Sequence, residues 1–308
     1  MKIPLSGLTV LVTGGGGFIG SHLVDALVAE NEVRVLDDFS SGRRSQLPAN
    51  LSVIEGDVRD SDVRKAAFDD VDIVFHEAAI VSVEQSVEMP MESHAINVDA
   101  TLSVLEEARR TNARVVFASS AAIYGTPETL PIPETVAKRP SSPYGLEKLS
   151  ADHYCQLYHD LYGLETVALR YFNVYGPRQR KGPYSGVITK FFAQARSGGP
   201  ITVQGTGEQT RDFVHVRDVV RANLLAAMTD RVGEAFNIGT GRSTTIAQLA
   251  EHVRETVDPD IKIEHTDPRP GDVRDSLADV SKANEALDYE PAVELSEGIE
   301  SVFDWIRH

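Results

Sequence analysis

The sequence predicts an α/β protein: a doubly wound parallel sheet with a smaller C-terminal region interleaved with it. Three observations carry this expectation. Over the first 120 residues, short β-branched apolar runs alternate with longer stretches of helical spacing, and repeated strand–helix units close into a parallel sheet with helices on both faces. The short runs are β-branched and bounded by polar or Gly residues, as buried strands are. After about residue 176 the texture changes, with Gly, Pro and polar residues clustered in Gly176–Gly186 and Ser197–Arg211.

Taken in order, Leu8–Val12, Val33–Leu36, Leu51–Ile54, Ile73–Phe75 and Val115–Ala118 read as buried strands, bounded by polar or Gly residues. Ile19–Ala29, Val63–Phe68 and His94–Arg110 lie between them with helical spacing. Tyr144–Tyr162 is a further long helix, followed by the strand Thr166–Arg170. In the C-terminal region Val216–Met228 reads as helix, Ala235–Ile238 as strand, Thr245–Thr256 as helix, Lys262–Glu264 as strand and Leu295–Ile306 as a closing helix. The expected division is 1–176 plus about 214–240 for the sheet domain, and about 177–213 plus 241–308 for the smaller one. No internal repeat or low-complexity linker interrupts this order.

Composition bounds the function. The chain has 308 residues, 42% of them hydrophobic and 25% charged, an ordinary globular balance. No run approaches the ~18–20 apolar residues of a membrane span, and the first residues lack an apolar signal core, so a cytoplasmic protein is expected. Cys155, the single cysteine, agrees with a reducing compartment. A formal charge of −16, from 46 acids against 30 bases, would repel nucleic acid and anionic lipid, so neither is an expected partner. An anionic small molecule would need a locally basic or N–H-lined pocket.

The strongest local motif is Thr13-Gly14-Gly15-Gly16-Gly17-Phe18-Ile19-Gly20, which follows one expected strand and opens one expected helix. Glycines at 14, 17 and 20 let the backbone turn tightly and approach a pyrophosphate seated on the helix N-terminus, as in a Rossmann-type domain. Asp37 ends the second strand, 17 residues past Gly20, where a carboxylate accepts bonds from adenosine ribose hydroxyls. It disfavours a 2′-phosphate, so NAD is expected over NADP, although Arg43 and Arg44 just beyond would blunt that preference. No GxxxxGK[ST] run is present.

Two further motifs carry chemistry. In Tyr144-Gly145-Leu146-Glu147-Lys148 a spacing of four puts Tyr144 and Lys148 on one helix face. Phenol titrates near ~10, and a nearby ammonium together with a cationic nicotinamide would favour the phenolate, making Tyr144 a candidate acid/base for an alcohol proton. By itself the pair also reads as an amphipathic helix with a packed Tyr and a solvated Lys. Phe117-Ala118-Ser119-Ser120-Ala121-Ala122-Ile123-Tyr124-Gly125 ends the fifth strand, where open α/β sheets place ligands, and a hydroxyl there would reach a substrate oxygen beside Tyr144. His76-Glu77 is no zinc helix, since Ile80 stands where the second His would be. No other metal-ligand spacing occurs, and His215 reads as structural.

Together these motifs resemble the extended short-chain dehydrogenase/reductase family over almost the whole chain. Further matching pieces are Gly56-Asp57-Val58-Arg59-Asp60, Phe75-His76-Glu77-Ala78-Ala79, Asn97, Arg170-Tyr171-Phe172-Asn173-Val174-Tyr175-Gly176-Pro177, Thr210-Arg211-Asp212-Phe213-Val214-His215-Val216 and Arg269-Pro270-Gly271-Asp272. Within the family the likeness is to NAD-dependent UDP-hexose 4-epimerases. The resemblance implies a catalytic trio of Ser120, Tyr144 and Lys148. It implies NAD held by Gly14, Gly17, Phe18, Ile19, Gly20, Asp37, Asp57, Val58, Ala78, Asn97, Tyr144, Lys148 and Tyr171.

On the substrate side the resemblance implies Ser120, Asn173, Arg211, Arg269 and Ser276, the last facing the sugar C2 substituent. The smaller domain then becomes the nucleotide-sugar-binding one. Two arginines on a diphosphate suit a protein of −16 charge. It further implies a homodimer built from the His94–Arg110 and Tyr144–Tyr162 helices. The implied reaction removes a proton and a hydride at sugar C4, turns the 4-keto sugar over, and returns the hydride to the other face. UDP-glucuronate 4-epimerases, 4,6-dehydratases and decarboxylases share the fold. Ala121 and Ala122, however, stand where dehydratases carry an acidic pair and decarboxylases a Glu. A non-catalytic NAD-binding sensor is the remaining alternative, and it would not require the trio.

Overall fold

The computed structural model describes residues 5–180, 186–268 and 273–307. In chain order the elements are β1 (Thr9–Thr13), α1 (Phe18–Leu27), β2 (Glu32–Asp37), β3 (Ser52–Glu55), α2 (Ser61–Ala67), β4 (Ile73–His76), α3 (Val83–Glu88), α4 (Pro90–His94), α5 (Ala100–Thr111), β5 (Arg114–Ser120), α6 (Pro143–Tyr162) and β6 (Thr166–Tyr171). Then come β7 (Asn173–Tyr175), α7 (Val187–Arg196), β8 (Ile201–Gln204), β9 (Thr210–Arg211), β10 (Phe213–His215), α8 (Val216–Ala226), β11 (Glu234–Ile238), β12 (Thr244–Thr245), α9 (Ile246–Val257), β13 (Ile263–Thr266), α10 (Ser281–Leu287) and α11 (Leu295–Arg307).

Seven strands pair in the order β11-β6-β5-β4-β1-β2-β3, every pair parallel. From β1 the chain first builds outward through β2 and β3, then crosses to the other side for β4. The reversal lies between β1 and β4, and open sheets bind ligands in the crevice beyond the carboxyl ends of such a pair. On one face, Leu23, Val24 and Leu27 of α1 and Val219 and Ala222 of α8 pack against the sheet, with Leu287 of α10 in the same cluster. On the other, Phe68, Val104, Leu105, Cys155 and Tyr158 do the same. β4 and β6 are buried at every position, so their β-branched and aromatic runs carry no polar alternation. A separate apolar cluster joins α7, α9 and α11 around β8, through Phe191, Phe192, Leu249, Val253 and Ile299.

Three segments differ from the sequence expectation. His94–Arg110 is not one helix: α4 ends at His94, a π turn spans Ala95–Asp99, and α5 follows. The buried Asn97 occupies that turn, and its amide bonds reach outside the helix, to the backbone of Ile80 and to Glu147. α3 and α4 precede it, α3 capped by Ser82 Oγ on Gln85 N at 3.0 Å and α4 opened by Pro90. α7 was hidden between two Gly- and Pro-rich clusters, yet Ile188, Phe191, Phe192 and Ala195 form one buried helical face. The second of those clusters, 197–211, contains β8 and β9.

Candidate active site

The glycine loop sits at the reversal. Gly14 has φ +70°, and a Cβ on it would lie 2.6 Å from Ala78 N. One on Gly20 would lie 2.3 Å from Gly14 O. Only bare backbone fits there, which leaves the cradle a pyrophosphate needs. Gly17 caps α1 with no side-chain bond, so the first-turn N–H groups, those of Phe18 and Ile19 included, point at the cleft uncapped. Asp37 closes the next strand: Oδ2 accepts from Gly16 N at 2.8 Å and Oδ1 from Phe39 N at 2.7 Å. Burial pushes its carboxyl up, and these two N–H groups pull it back. Lone pairs remain on both oxygens for ribose hydroxyls. Gly56 N donates to Asp37 O at 3.1 Å, which brings Asp57 and Val58 alongside. Asp57 takes Arg59 Nε at 3.0 and 2.9 Å, and that bonding holds its carboxyl low. Val58 is buried, its carbonyl held by Arg64 at 2.9 Å. These groups fit a dinucleotide whose adenosine lies over β2 and β3.

The second half of the cleft gathers at the ends of β5 and β6. Ser142 Oγ accepts from Gly145 N at 3.1 Å and starts α6 at Pro143, a position where proline loses no helical bond. Tyr144 N donates to Ser86 Oγ at 3.1 Å. Gly145 lets the helix approach the turn that follows β5, since a Cβ there would meet Ala122 O at 2.7 Å. That approach brings Tyr144 beside Ser120, whose Oγ accepts from Ala122 N at 3.2 Å. Burial raises the Tyr144 phenol, and Ser120 pulls it down.

Lys148 lies one turn further along α6 and is buried against β5. Its ammonium donates to Ala118 O at 2.8 Å and sits 4.9 Å from the Phe117 ring centre. Burial brings it down to about 8.

Other expected residues take different places. Asn97 accepts from Ile80 N at 2.9 Å and donates to Ile80 O at 3.0 Å and Glu147 Oε2 at 2.8 Å. Its side chain braces α6. Tyr171 Oη donates to Glu77 Oε1 at 2.9 Å and accepts from Asn223 Nδ2 at 2.8 Å. Asn173 Nδ2 donates to Asp212 O at 3.3 Å. Arg211 Nη1 donates to Thr210 O at 2.7 Å, and Ser276 N donates to the same carbonyl at 3.2 Å. Arg211 and Ser276 therefore share one end of the cleft. Asp212 ties that end together, accepting from Thr240 N at 2.7 Å, Gly241 N at 2.9 Å and Ala278 N at 3.2 Å. Arg269 lies outside the described residues. His215 caps α8 on Arg217 N at 3.2 Å and meets Ser301 Oγ at 3.1 Å, a structural position.

Sequence reading passed over three buried acids. Glu147 lies one turn after Tyr144 and accepts from Ser93 Oγ at 2.6 Å. Its helical register with Tyr144 was a usable signal. Asp212 and Glu77 act through partners tens of residues away, for which spacing carries none.

Known proteins share this architecture. The NAD dependent epimerase/dehydratase family matches residues 10–239. A UDP-glucose 4-epimerase of Mycolicibacterium smegmatis is 36% identical over 310 residues, covering 98% of this chain and 99% of its own. The Thermotoga maritima UDP-glucose 4-epimerase with UDP-glucose superposes with TM-score 0.94 at 40% identity, covering 97% and 99%. A UDP-N-acetylglucosamine 4-epimerase of Methanobrevibacter ruminantium in complex with UDP-N-acetylmuramic acid gives 0.95 at 38%, covering 98% and 99%. A UDP-glucuronic acid decarboxylase of Arabidopsis thaliana, at 36% identity, and a UDP-glucuronic acid 4-epimerase of Bacillus cereus, at 31%, also align along 97% of the chain. Matched end to end by such relatives, the chain belongs to the NAD-dependent epimerase/dehydratase family, as an enzyme of its UDP-sugar epimerase group that uses NAD.

Proposed function

We propose that this enzyme inverts C4 of a UDP-hexose, taking UDP-glucose and UDP-galactose and also their N-acetylated counterparts. The observation that carries the reading is the hydroxyl pair Tyr144–Ser120 beside the buried Lys148, followed by Ala121 and Ala122. Tyr144 as its phenolate would take the alcohol proton and, as the phenol so formed, would return it. Two alanines supply neither the acid and base of water elimination nor the carboxylate expected in a decarboxylase. NAD, when bound, supplies acceptance and return of the C4 hydride. Tyr144 holds the 4-hydroxyl proton, Ser120 orients the sugar oxygen, and Lys148 holds the cofactor ribose. The glycine loop, Asp37, Asp57, Val58 and Ala78 bind the dinucleotide, and Asn97 and Tyr171 hold its surroundings. Asn173, Arg211 and Arg269 bind the UDP part, which anchors the sugar while it turns. In this reading the sheet region and the α7–α9–α11 cluster are the cofactor and nucleotide-sugar halves.

Ser276 carries the finer part of the proposal. Its small side chain leaves room beside C2, where tyrosine would crowd an acetamido group. The test is to incubate the enzyme with UDP-glucose, UDP-N-acetylglucosamine and UDP-glucuronate separately and follow each by NMR. Appearance of the C4 epimer from the first two is expected. Carbon dioxide and a pentose product, or a 6-deoxy-4-keto product, would overturn the reading. Ser276→Tyr is expected to abolish turnover of the N-acetylated substrate and spare UDP-glucose, and equal loss on both would remove Ser276 from the C2 pocket.

The same reading places the enzyme in the cytoplasm as a homodimer. Leu146, Leu157 and Leu161 lie along one face of α6 and are 56%, 44% and 62% exposed, with exposed Val83, Val87 and Met91 on the neighbouring short helices α3 and α4. Such a face suits a second copy across a two-fold axis. Among the described residues no helix is long and apolar enough to cross a membrane.

A further inference from the structure

Glu77 is a carboxyl that the proposed chemistry leaves unused. It directly follows β4, at the reversal of the sheet, and its neighbour Ala78 abuts Gly14. Its Oε1 accepts from Tyr171 Oη at 2.9 Å, and Asn223 of α8 fixes that phenol at 2.8 Å while anchored to Val219 O at 2.8 Å. Three elements thus hold one carboxylate at the cleft wall. From across the cleft its charge is felt by both Tyr144 and Lys148. In the reading above, the proton leaves the 4-hydroxyl oxygen and the hydride leaves C4 bonded to it, so the nicotinamide must lie beside Tyr144 and within the same field.

We propose that Glu77 is the electrostatic counterpart of the oxidised nicotinamide, favouring the cationic over the reduced, neutral form of the bound cofactor and so keeping the resting enzyme oxidised. This rests on the functional reading above. The two forms differ by one charge at the ring, and a carboxylate held in a poorly solvated cleft discriminates between them by about tenfold or more.

The other groups facing it are accounted for. Lys148, from α6, opposes the effect. His76 is driven down to about 3 by burial, with Lys148 adding to the shift, so it stays neutral. Tyr171 is raised well above its usual range by burial and stays protonated, and burial raises Tyr144 as well. Burial pushes Glu77 itself up to about 7, against the pull of Tyr171 and Lys148. Near neutrality an arriving positive ring therefore expels the Glu77 proton, and the reduced ring does not.

The test is equilibrium exchange of the purified enzyme in mixtures of NAD⁺ and NADH, reading bound NADH by fluorescence. Glu77→Gln keeps an acceptor for Tyr171 and removes the charge. At pH 8 it is expected to shift the bound ratio toward NADH by about tenfold. Wild type is expected to gain preference for NAD⁺ between pH 6 and 8, and the Gln variant to stay flat until Lys148 titrates. Tyr171→Phe, which keeps the carboxyl and loses the bond that holds it down, is expected to move the pH at which the preference for NAD⁺ appears upward. A Gln ratio within about twofold of wild type at pH 8 overturns the proposal. If the Gln variant does not fold, calorimetry of the wild type at pH 6 in buffers of different ionisation enthalpy decides: proton release with NAD⁺ and not with NADH is expected, and equal release overturns it. Failure of wild type to bind either dinucleotide overturns the functional reading as well. Binding of both, with UDP-glucose epimerised and the ratio unmoved, overturns only the role of Glu77.

Discussion

Tyr144 carries the largest share of the proposed chemistry. Its phenol is enclosed and raised by burial, with Ser120 pulling it down. Phe keeps the ring and loses the proton. Tyr144→Phe is expected to lower turnover by roughly 10²–10⁴-fold while NAD stays bound. Retention of more than about a tenth of wild-type rate would remove Tyr144 from the acid–base role. Asp37 works at the opposite end of the cleft and in two ways. It ties Gly16 and Phe39 at 2.8 and 2.7 Å, and it presents negative charge where a 2′-phosphate would sit. Asp37→Ala is expected to weaken NAD and to narrow its advantage over NADP by about tenfold, since a charge repulsion disappears. Cofactor titration checks this, and an unchanged NAD/NADP ratio would show that the carboxylate serves the loop alone.

Among the elements, α6 matters through how closely its first turn meets the turn after β5. Gly145 permits that approach, because a Cβ at this position would stand 2.7 Å from Ala122 O and 3.0 Å from Pro140 Cβ. Gly145→Ala gains helix preference of about 1 kcal/mol, and it pushes backbone from backbone. The melting temperature is expected to move little, while kcat falls by up to about a hundredfold as Tyr144 and Ser120 separate. Steady-state kinetics at saturating NAD checks it, and an unchanged kcat would show that the pair survives without the close contact. The elements also show where sequence reading works. β1 and β4 were legible because parallel strands covered on both faces are nearly continuous apolar runs. The π turn at Ala95–Asp99 was not, because it answers to Asn97 bonding Ile80 and Glu147, contacts without a local pattern.

Over the whole molecule, the proposed homodimer turns on the leucine face of α6. A single charge there desolvates badly in a two-fold contact and meets its own copy. Leu157→Glu is expected to leave the fold intact and give a monomer mass in light scattering, against a dimer for the wild type. A wild-type monomer at micromolar concentration would discard the homodimer. The acidic surface bears on the cleft as well. With a formal charge of −16, long-range attraction does not bring a nucleoside diphosphate in. The site must hold its anion by short-range donors, the α1 N–H groups and guanidinium groups at the other end of the cleft.

The sheet, its parallel sense, the dinucleotide loop, the acid after β2 and the Tyr144–Lys148 register could all be read from the chain without coordinates. Each follows from a local rule: periodicity, glycine geometry or helical spacing. What surrounds those residues emerged only on folding. Lys148 is buried and donates to Ala118 O, and Ser120 comes beside Tyr144. Asn97 and Glu147 lock together from positions 50 residues apart. Glu77 meets Tyr171 across 94 residues. Burial and long-range hydrogen bonds set the charge state of a site, and neither is a property of neighbours along the chain.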